Sequence, residues 1–330
     1  MKVLISSCDT NEGIPGVLQQ KVEKLKYLYE RSDKRHTLVN SAESADIILV
    51  VFVREDSDGS EILRHDLINK YPSKCFSLTD ADAPLFLHHG IYCSTKKSIL
   101  TMGRIRTGAY TAYADRFLNP YVQGHVVSTQ NRVAKKYLLS FMGRNCSDAR
   151  EIIFRLDFNR RDILIEDSSS FDLWHGDDAG RMARQKYFYD VLVSSKFSLC
   201  PRGSGATSLR LFESMQVGVA PVIISDGWLF PRGPRWRDFS IVLKQKHIRD
   251  LEKVVQSYEN SYAEMGVLAR TAFETYFAES RYFNYVIANC LSIMRAQRIP
   301  EALYWKSNRV LLSLRKGKAK LRLLRRSRAA

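Results

Sequence analysis

The residues best suited to chemistry lie in a glycine-containing loop between an apolar strand and a helix. The strand ends at Pro201, six loop residues follow, and a helix begins near Ser208, which can serve as its N-cap. Free backbone N–H groups and the positive end of the helix face such a loop, so we predict that it binds a phosphate or diphosphate group. A role in turn geometry alone is the alternative. The loop consists of Arg202, Gly203, Ser204, Gly205, Ala206 and Thr207.

Two arginines and a glutamate around this loop favour anion binding. Arg202 opens the loop and Arg210 lies in the first turn of the helix, and each guanidinium can donate two parallel hydrogen bonds to a phosphate. Glu213 follows Arg210 on the same helical face, where its carboxylate could accept hydrogen bonds from both hydroxyls of a ribose. An intrahelical ion pair between Arg210 and Glu213 is the alternative. The sequence has no G-x-x-x-x-G-K-[ST] motif, which disfavours phosphoryl transfer by a P-loop enzyme.

Strand-like and helix-like stretches alternate along the chain that positions these residues. The predicted strands are 2–7, 46–53, 74–80, 137–143, 162–167, 196–201 and 219–226, and the predicted helices are 17–31, 182–194, 208–217 and most of 250–297. Pro120 and Gly124 mark a linker between the two halves. The length of 330 residues and the apolar fraction of 45% suit two folded domains. We therefore predict an α/β protein built from two doubly wound parallel units.

Positive charge is concentrated near the C-terminus. Lys and Arg number 51 against 35 Asp and Glu, and the formal net charge of +16 indicates an anionic partner. From Glu301 onward, ten basic residues accompany one acid, a net of +9. Leucines alternate with cations over 306–330, as in a basic amphipathic helix on an anionic membrane surface, although Gly317 weakens the helix. A solvated tail and a tail that binds nucleic acid are the alternatives.

Cysteine and histidine spacing, together with the start of the chain, bears on metal content and compartment. The six cysteines form no C-x-x-C pair and the seven histidines form no H-E-x-x-H motif, so we predict no metal site and a reducing compartment. The apolar stretch within residues 1–7 is followed by polar residues and is too short for a signal peptide. No apolar run reaches the length of about 18 residues that spans a membrane. We expect a cytoplasmic protein that is soluble or bound peripherally at the inner face of the membrane.

The segment 197–233 closely resembles one protein family. It is "FSLCPRGSGATSLRLFESMQVGVAPVIISDGWLFPRG", and "RWRDFSIVL" follows at 235–243. Upstream, "KKYLLSFMGR" at 135–144 and "FYDVLVSSKFSLCPRG" at 188–203 complete the pattern. In order and spacing these segments are similar to the exostosin-type glycosyltransferases, a GT47-type family. The first 130 residues match that family more loosely.

This resemblance implies a GT-B enzyme, in which two Rossmann-like domains face each other across a cleft and the second holds a nucleotide-sugar. It implies an inverting transfer without metal or other cofactor, and a UDP-sugar, the commoner choice in the family, is the expected donor. Because the basic tail would hold the protein at a membrane, we expect the acceptor to be a glycan or a lipid-linked or lipopolysaccharide saccharide. By position, Arg202 and Arg210 would neutralise the donor diphosphate and Glu213 would hold its ribose. The other donor-binding residues implied are Arg144, Gly203, Ser204, Gly205 and Ser208.

An inverting displacement also needs a base near the acceptor hydroxyl, on the side of the cleft opposite the nucleotide. The first half offers Asp9, Glu55, Asp80 and Asp82, each at or just after a predicted strand end. Of these we favour Asp80 or Asp82. The stretch 80–82 has the letters of a metal-binding D-x-D motif, but it lies in the other half from the donor motif, and we interpret it as part of the cleft or as a turn.

The predicted organisation is an acceptor-side domain at 1–130, a nucleotide-sugar-binding domain at 131–300 and a basic amphipathic tail at 301–330. The predicted partners are the donor, a saccharide acceptor and an anionic membrane surface contacted by 306–330, without nucleic acid. Two functions of other classes stay open. One is a nucleic-acid-binding α/β protein that uses the basic tail, and the other is a catalytically silent partner subunit that retains the fold.

Overall fold

The structure is a computed structural model that describes residues 1–8, 16–52, 60–97, 103–112, 115–125, 133–170 and 178–310. Two of the predicted acids, Asp9 and Glu55, lie outside the described residues. The same holds for the part of the predicted basic tail beyond residue 310.

The first unit is a parallel sheet with helices. Its strands are β1 (Lys2–Ser7), β2 (Thr37–Leu38), β3 (Ile47–Phe52), β4 (Cys75–Thr79), β5 (Gly90–Tyr92) and β6 (Ile105–Thr107), and its helices are α1 (Val17–Arg31), α2 (Ser60–Arg64) and α3 (Asp66–Lys70). Within the described ranges the strands lie in the order β2-β1-β3-β4-β5-β6, and every pair is parallel. Along β3, Leu49 and its alternate neighbours enter one core while Val50 and its alternate neighbours enter another. Both faces of β3 are buried, which explains its continuous apolar sequence.

The second unit repeats this plan after the short helix α4 (Pro120–Gln123). Its strands are β7 (Tyr137–Gly143), β8 (Ile163–Asp167), β9 (Ser195–Pro201), β10 (Ala220–Ile224) and β11 (Ile241–Leu243). Its helices are α5 (Asp148–Phe154), α6 (Asp178–Val193), α7 (Leu209–Gln216), α8 (Trp236–Phe239), α9 (Leu251–Ser257) and α10 (Tyr262–Tyr276). In the described residues the order is β11-β10-β9-β7-β8, again all parallel. Val222 and Ile223 of β10 enter different cores, so this sheet is also covered on both faces.

The two units meet at the carboxyl ends of their strands. Ser94, just after β5, accepts a hydrogen bond from the backbone N–H of Ala206, just after β9, at 2.6 Å. The indole N–H of Trp228 donates to the carbonyl of Cys93 at 3.2 Å, and Leu229 N–H donates to the carbonyl of Thr95 at 2.9 Å. Two doubly wound parallel units that face each other at these edges confirm the predicted GT-B fold class.

The chain returns to the first unit before its end. Helix α11 (Glu279–Ala296), inside the segment predicted as the second domain, packs against α1. Its Tyr282 hydroxyl donates to the carbonyl of Ala109 at 2.7 Å. Residues 301–310 are helical and dock on the same unit, because Glu301 and Trp305 are buried there. This helix fixes the point at which the basic tail leaves the described structure.

Candidate functional site

The topology of the second sheet locates a crevice. Strand β7 lies between β8 and β9, so the order in which strands are added reverses between β7 and β9. In open α/β sheets a ligand crevice forms outside the carboxyl ends of the strands at such a switch point. A cavity of about 280 Å³ lies there. It is lined by Phe117, Asn119, Met142, Gly143, Arg144, Cys146, Arg150, Ser168, Arg184, Gln185, Phe188, Ser208, Leu209, Arg210 and Glu213.

Positive charge dominates the wall of this cavity. Arg210, in the first turn of α7, donates a hydrogen bond to the carbonyl of Met142, and its guanidinium lies 4.8 Å from the ring centroid of Phe141. The Nε atom of Arg210 is buried and has no hydrogen-bond partner among the described residues. Arg144, at the end of β7, is exposed and forms no ion pair with a described residue. Both side chains therefore keep donors and charge for an anionic ligand.

Arg150 was not predicted from the sequence, yet it lines this cavity. Its side chain is 7% exposed, and its guanidinium donates to the carbonyls of Arg144 at 2.9 Å and Arg202 at 3.1 Å. Burial, followed by repulsion from Arg210, lowers the pKa of Arg150 to about 10, so it stays charged at pH 7. A further arginine of the cavity, Arg184 of α6, was also not predicted and forms an ion pair with Glu166.

Glu213 is the acidic member of the cavity. It is 9% exposed, and its carboxylate has no hydrogen bond to a described residue. Burial raises the pKa of Glu213 to about 7, and Arg210 opposes that rise. The intrahelical ion pair with Arg210 is not formed among the described residues, because the Arg210 guanidinium turns to Met142. Glu213 is thus a buried hydrogen-bond acceptor without a donor among the described residues. A hydroxyl group of a bound ligand would supply that donor.

The loop predicted to bind phosphate is held against the first unit instead of lining the cavity. The N–H of Gly205 donates to the Asp82 carboxylate, and the N–H of Ala206 donates to Ser94. A Cβ atom on Gly205 would lie 2.6 Å from Ser94 Oγ, so only glycine permits this approach. The N–H of Gly203 donates within the loop, to the carbonyl of Thr207 at 3.3 Å. In this structure these three amides are engaged by protein groups.

The predicted donor residues therefore divide into two groups. Arg144, Ser208, Arg210 and Glu213 line the cavity, whereas Arg202, Gly203, Ser204 and Gly205 lie in the adjacent loop. The Arg202 guanidinium, about a quarter exposed, lies 3.4 Å from the Asp148 carboxylate. Ser208 occupies the N-cap position of α7, but its side chain makes no capping hydrogen bond.

The predicted bases also separate. Asp80 forms an ion pair with Lys21 in a buried position, with side-chain exposures of 12% and 4%. Asp82 lies two residues further on, exposed and in contact with Gly205. Among the described residues, no three His, Cys, Asp or Glu side chains are grouped so that they would hold a metal ion. No helix in the described ranges is long and apolar enough to cross a membrane.

Comparison with known proteins points to one family. The family model for the exostosin GT47 domain matches residues 94–258, half of the chain, including the cavity wall from Phe117 to Glu213. Exostosin-1 of Drosophila melanogaster is 26% identical over 205 residues, which are 56% of this chain and 26% of that protein. The Exostosin-1 homolog of Caenorhabditis elegans is 26% identical over 156 residues, which are 43% of this chain and 41% of that protein. The chain thus spans between about a quarter and two fifths of the length of these relatives.

Among solved structures, the chain is similar to that of WaaG, a glycosyltransferase involved in lipopolysaccharide biosynthesis. It covers 90% of this chain and 100% of its own, with 11% sequence identity and a TM-score of 0.37.

Proposed function

This chain belongs to the exostosin GT47 family, and from that premise we propose that it is an inverting glycosyltransferase that uses a nucleotide-sugar donor. The observation that carries the proposal is the cavity at the β7/β9 switch point, which is lined by Arg144, Arg150 and Arg210 and by the carboxyl of Glu213, unpartnered among the described residues. Three guanidiniums suit a diphosphate, and a carboxylate suits the paired hydroxyls of a ribose. A UDP-sugar is the proposed donor.

The chemistry of glycosyl transfer explains the arginines. As the bond between sugar and diphosphate breaks, negative charge builds on the leaving diphosphate. Fixed cations in a partly dry cavity stabilise that charge without reorganisation at the moment of reaction. Arg210 and Arg150 supply such cations from the first turns of α7 and α5, held by carbonyl groups of the β7 and β9 ends. We therefore propose that the transfer needs neither a metal ion nor another cofactor.

The acceptor side belongs to the first unit in this proposal. We propose a saccharide acceptor, either a glycan or a lipid-linked or lipopolysaccharide saccharide. The proposed position of the acceptor is supported by the contact between the ends of β4 and β5 and the loop after β9. This contact brings Asp82 and Ser94 of the first unit beside the donor-side residues.

Nucleotide release from a panel of UDP- and GDP-sugars, measured with EDTA present, tests this function. We expect release of the nucleoside diphosphate with one or more of these donors, at a rate that EDTA does not lower. Absence of turnover, together with no rise in melting temperature on adding any donor, would contradict the proposal. Stabilisation by an oligonucleotide alone would favour the nucleic-acid-binding alternative, and binding of a nucleotide without turnover would favour a silent subunit.

We further propose a cytoplasmic location at the inner face of the membrane, with the segment 306–330 on an anionic lipid surface. The helix over 301–310 supports this because its inner face is anchored: the Glu301 carboxylate accepts from Arg104 at 2.5 Å, and Trp305 donates to Asn69 at 3.1 Å. Its outer face presents Leu303, 59% exposed, and the cation Lys306. Each such cation near an anionic surface contributes roughly 1 kcal/mol.

Deleting residues 306–330 is expected to abolish co-sedimentation with phosphatidylglycerol vesicles. The deletion leaves Glu301 and Trp305 in place but removes Asn308, whose side-chain amide donates to the carbonyl of Leu87 at 3.0 Å. Nucleotide release should therefore stay that of the full chain, while the melting temperature should fall slightly. Phosphatidylcholine vesicles, which lack net charge, serve as the control for both proteins. Equal binding of the full and shortened chains to the anionic vesicles would refute the membrane role of the tail.

A further inference from the structure

Asp82 connects the first unit to the loop beside the arginine cavity. It follows β4, and its carboxylate accepts a hydrogen bond from the backbone N–H of Gly205, which follows β9. A Cβ atom on Gly205 would lie 2.7 Å from Asp82 Oδ1, and the neighbouring Ser94 holds the N–H of Ala206. Two consecutive loop amides thus hold two side chains of the first unit, which fixes Asp82 at the junction between the units.

Among the described residues, the structure distinguishes Asp82 from Asp80. Asp80 is neutralised by Lys21, an ion pair with little exposure to solvent. Asp82 is exposed and forms no ion pair with a described residue. Its carboxylate is therefore available on the side of the loop that faces the first unit.

Asp82 lies within electrostatic range of Arg150, which lines the cavity. A Cβ atom on Gly203 would lie 3.5 Å from Nη2 of Arg150, which lines the cavity. The two charged groups that act on Asp82 are Asp80 from its own segment and Arg150 from α5. Asp82 therefore lies between the proposed acceptor side and the cations proposed for the diphosphate.

Resting on the proposed glycosyl transfer, we propose that Asp82 is the catalytic base that takes the proton of the acceptor hydroxyl. The acceptor oxygen forms a bond to the anomeric carbon while the bond from that carbon to the diphosphate oxygen breaks. The electron pair of the broken bond leaves with the nucleoside diphosphate. The proton passes to the Asp82 carboxylate and afterwards to solvent, so each turnover yields a glycoside, a nucleoside diphosphate and one proton.

The surroundings of Asp82 suit this role. The Asp82 side chain keeps contact with solvent, but the segments packed around it remove part of its hydration. This partial desolvation, followed by repulsion from Asp80, raises the pKa of Asp82, while Arg150 and the N–H of Gly205 oppose the rise. A carboxylate with a raised pKa is a stronger base than a fully hydrated one. Because the base acts in its ionised form, turnover should fall as the pH drops through that pKa.

The test compares Asp82→Asn with the wild type in donor turnover without added acceptor, where water is the nucleophile. We expect the variant to turn over the donor found in the panel about 100-fold more slowly, as removal of a general base does. The acid limb of the pH profile should disappear, and the affinity for UDP by calorimetry should stay within about twofold. Sodium azide supplies a nucleophile that carries no proton, so it should restore turnover in Asp82→Asn with formation of a glycosyl azide.

Asp226→Asn is the matched control, because Asp226 follows β10 and accepts a backbone N–H from Gln245 at 2.9 Å. It should behave as the wild type. Unchanged turnover in Asp82→Asn would overturn the assignment. A loss of turnover that azide does not restore, or one that comes with weaker UDP binding, would also overturn it, because Asp82 would then only position the loop. Absence of turnover in the wild type would instead overturn the proposed function on which this inference rests.

Discussion

Replacing Arg210 by alanine is expected to lower kcat/KM for donor turnover by about 10²- to 10³-fold, the effect of removing one preorganised donor from a developing anion. Arg210 projects from the first turn of α7 into the cavity, where its Nε is buried without a partner among the described residues. Its guanidinium donates to the carbonyl of Met142 and forms no ion pair with Glu213 among the described residues. The loss should appear in nucleotide release and as weaker binding of UDP in calorimetry.

Two further variants separate charge from geometry in this prediction. Arg210→Lys keeps the charge but loses the planar guanidinium that donates two parallel hydrogen bonds, so its turnover should lie between those of Arg210→Ala and the wild type. Arg155→Ala removes an arginine of the same unit, which is 76% exposed and paired with Glu151, and should leave turnover unchanged. Turnover of Arg210→Ala within threefold of the wild type, with an unchanged melting temperature, would show that the diphosphate does not bind in this cavity.

Glu213→Gln is expected to stabilise the protein at pH 8 while weakening nucleotide binding. The pKa of Glu213 is about 7 in the folded state against 4.5 in the unfolded chain. Between these values the folded state retains a proton that the unfolded state releases, so stability falls as the pH rises from about 4.5 to 7. A pKa shift of this size lowers the free energy of unfolding by about 3 kcal/mol at pH 8, and Glu213→Gln should regain part of that loss.

Urea unfolding of the wild type and Glu213→Gln at pH 5 and pH 8 measures this effect. The stability difference in favour of the variant should be larger at pH 8 than at pH 5. The affinity of the wild type for UDP should rise from pH 6 to pH 8, because ionised Glu213 accepts from the ribose hydroxyls, and in Glu213→Gln it should be flat over that range. A stability difference that is the same at both pH values would contradict the burial of this carboxyl.

The fold was predictable because its central strands, such as β3 and β10, are buried on both faces. The run of β-branched residues at 46–53 is typical of a parallel strand that is buried between two cores. The structure has strand β3 at Ile47–Phe52, with its two faces in different cores. The sequence also predicted that Arg210 and Glu213 lie on the same face of α7, because residues three apart in a helix share a face. Local spacing therefore predicted the main strands and helices and the positions of Ser208, Arg210 and Glu213, whereas Arg144 was predicted from the family resemblance.

The remaining parts of the site depend on contacts between distant segments. Nothing in the spacing around Arg150 shows that it folds under the ends of β7 and β9, where backbone carbonyls hold it. The sequence pattern of the loop after β9 predicted free amides, whereas Asp82 and Ser94, more than 100 residues earlier, occupy two of them. Such pairings arise from the docking of the two units, which no local pattern encodes.

The most direct test of where the donor binds is a crystal structure of the full chain with UDP. We predict the diphosphate against the guanidiniums of Arg144, Arg150 and Arg210, with the ribose hydroxyls donating to Glu213. Asp82 should keep its hydrogen bond to Gly205. A diphosphate seated on the amides of the loop after β9, with Asp82 displaced, or a nucleotide bound outside this cavity, would contradict the account.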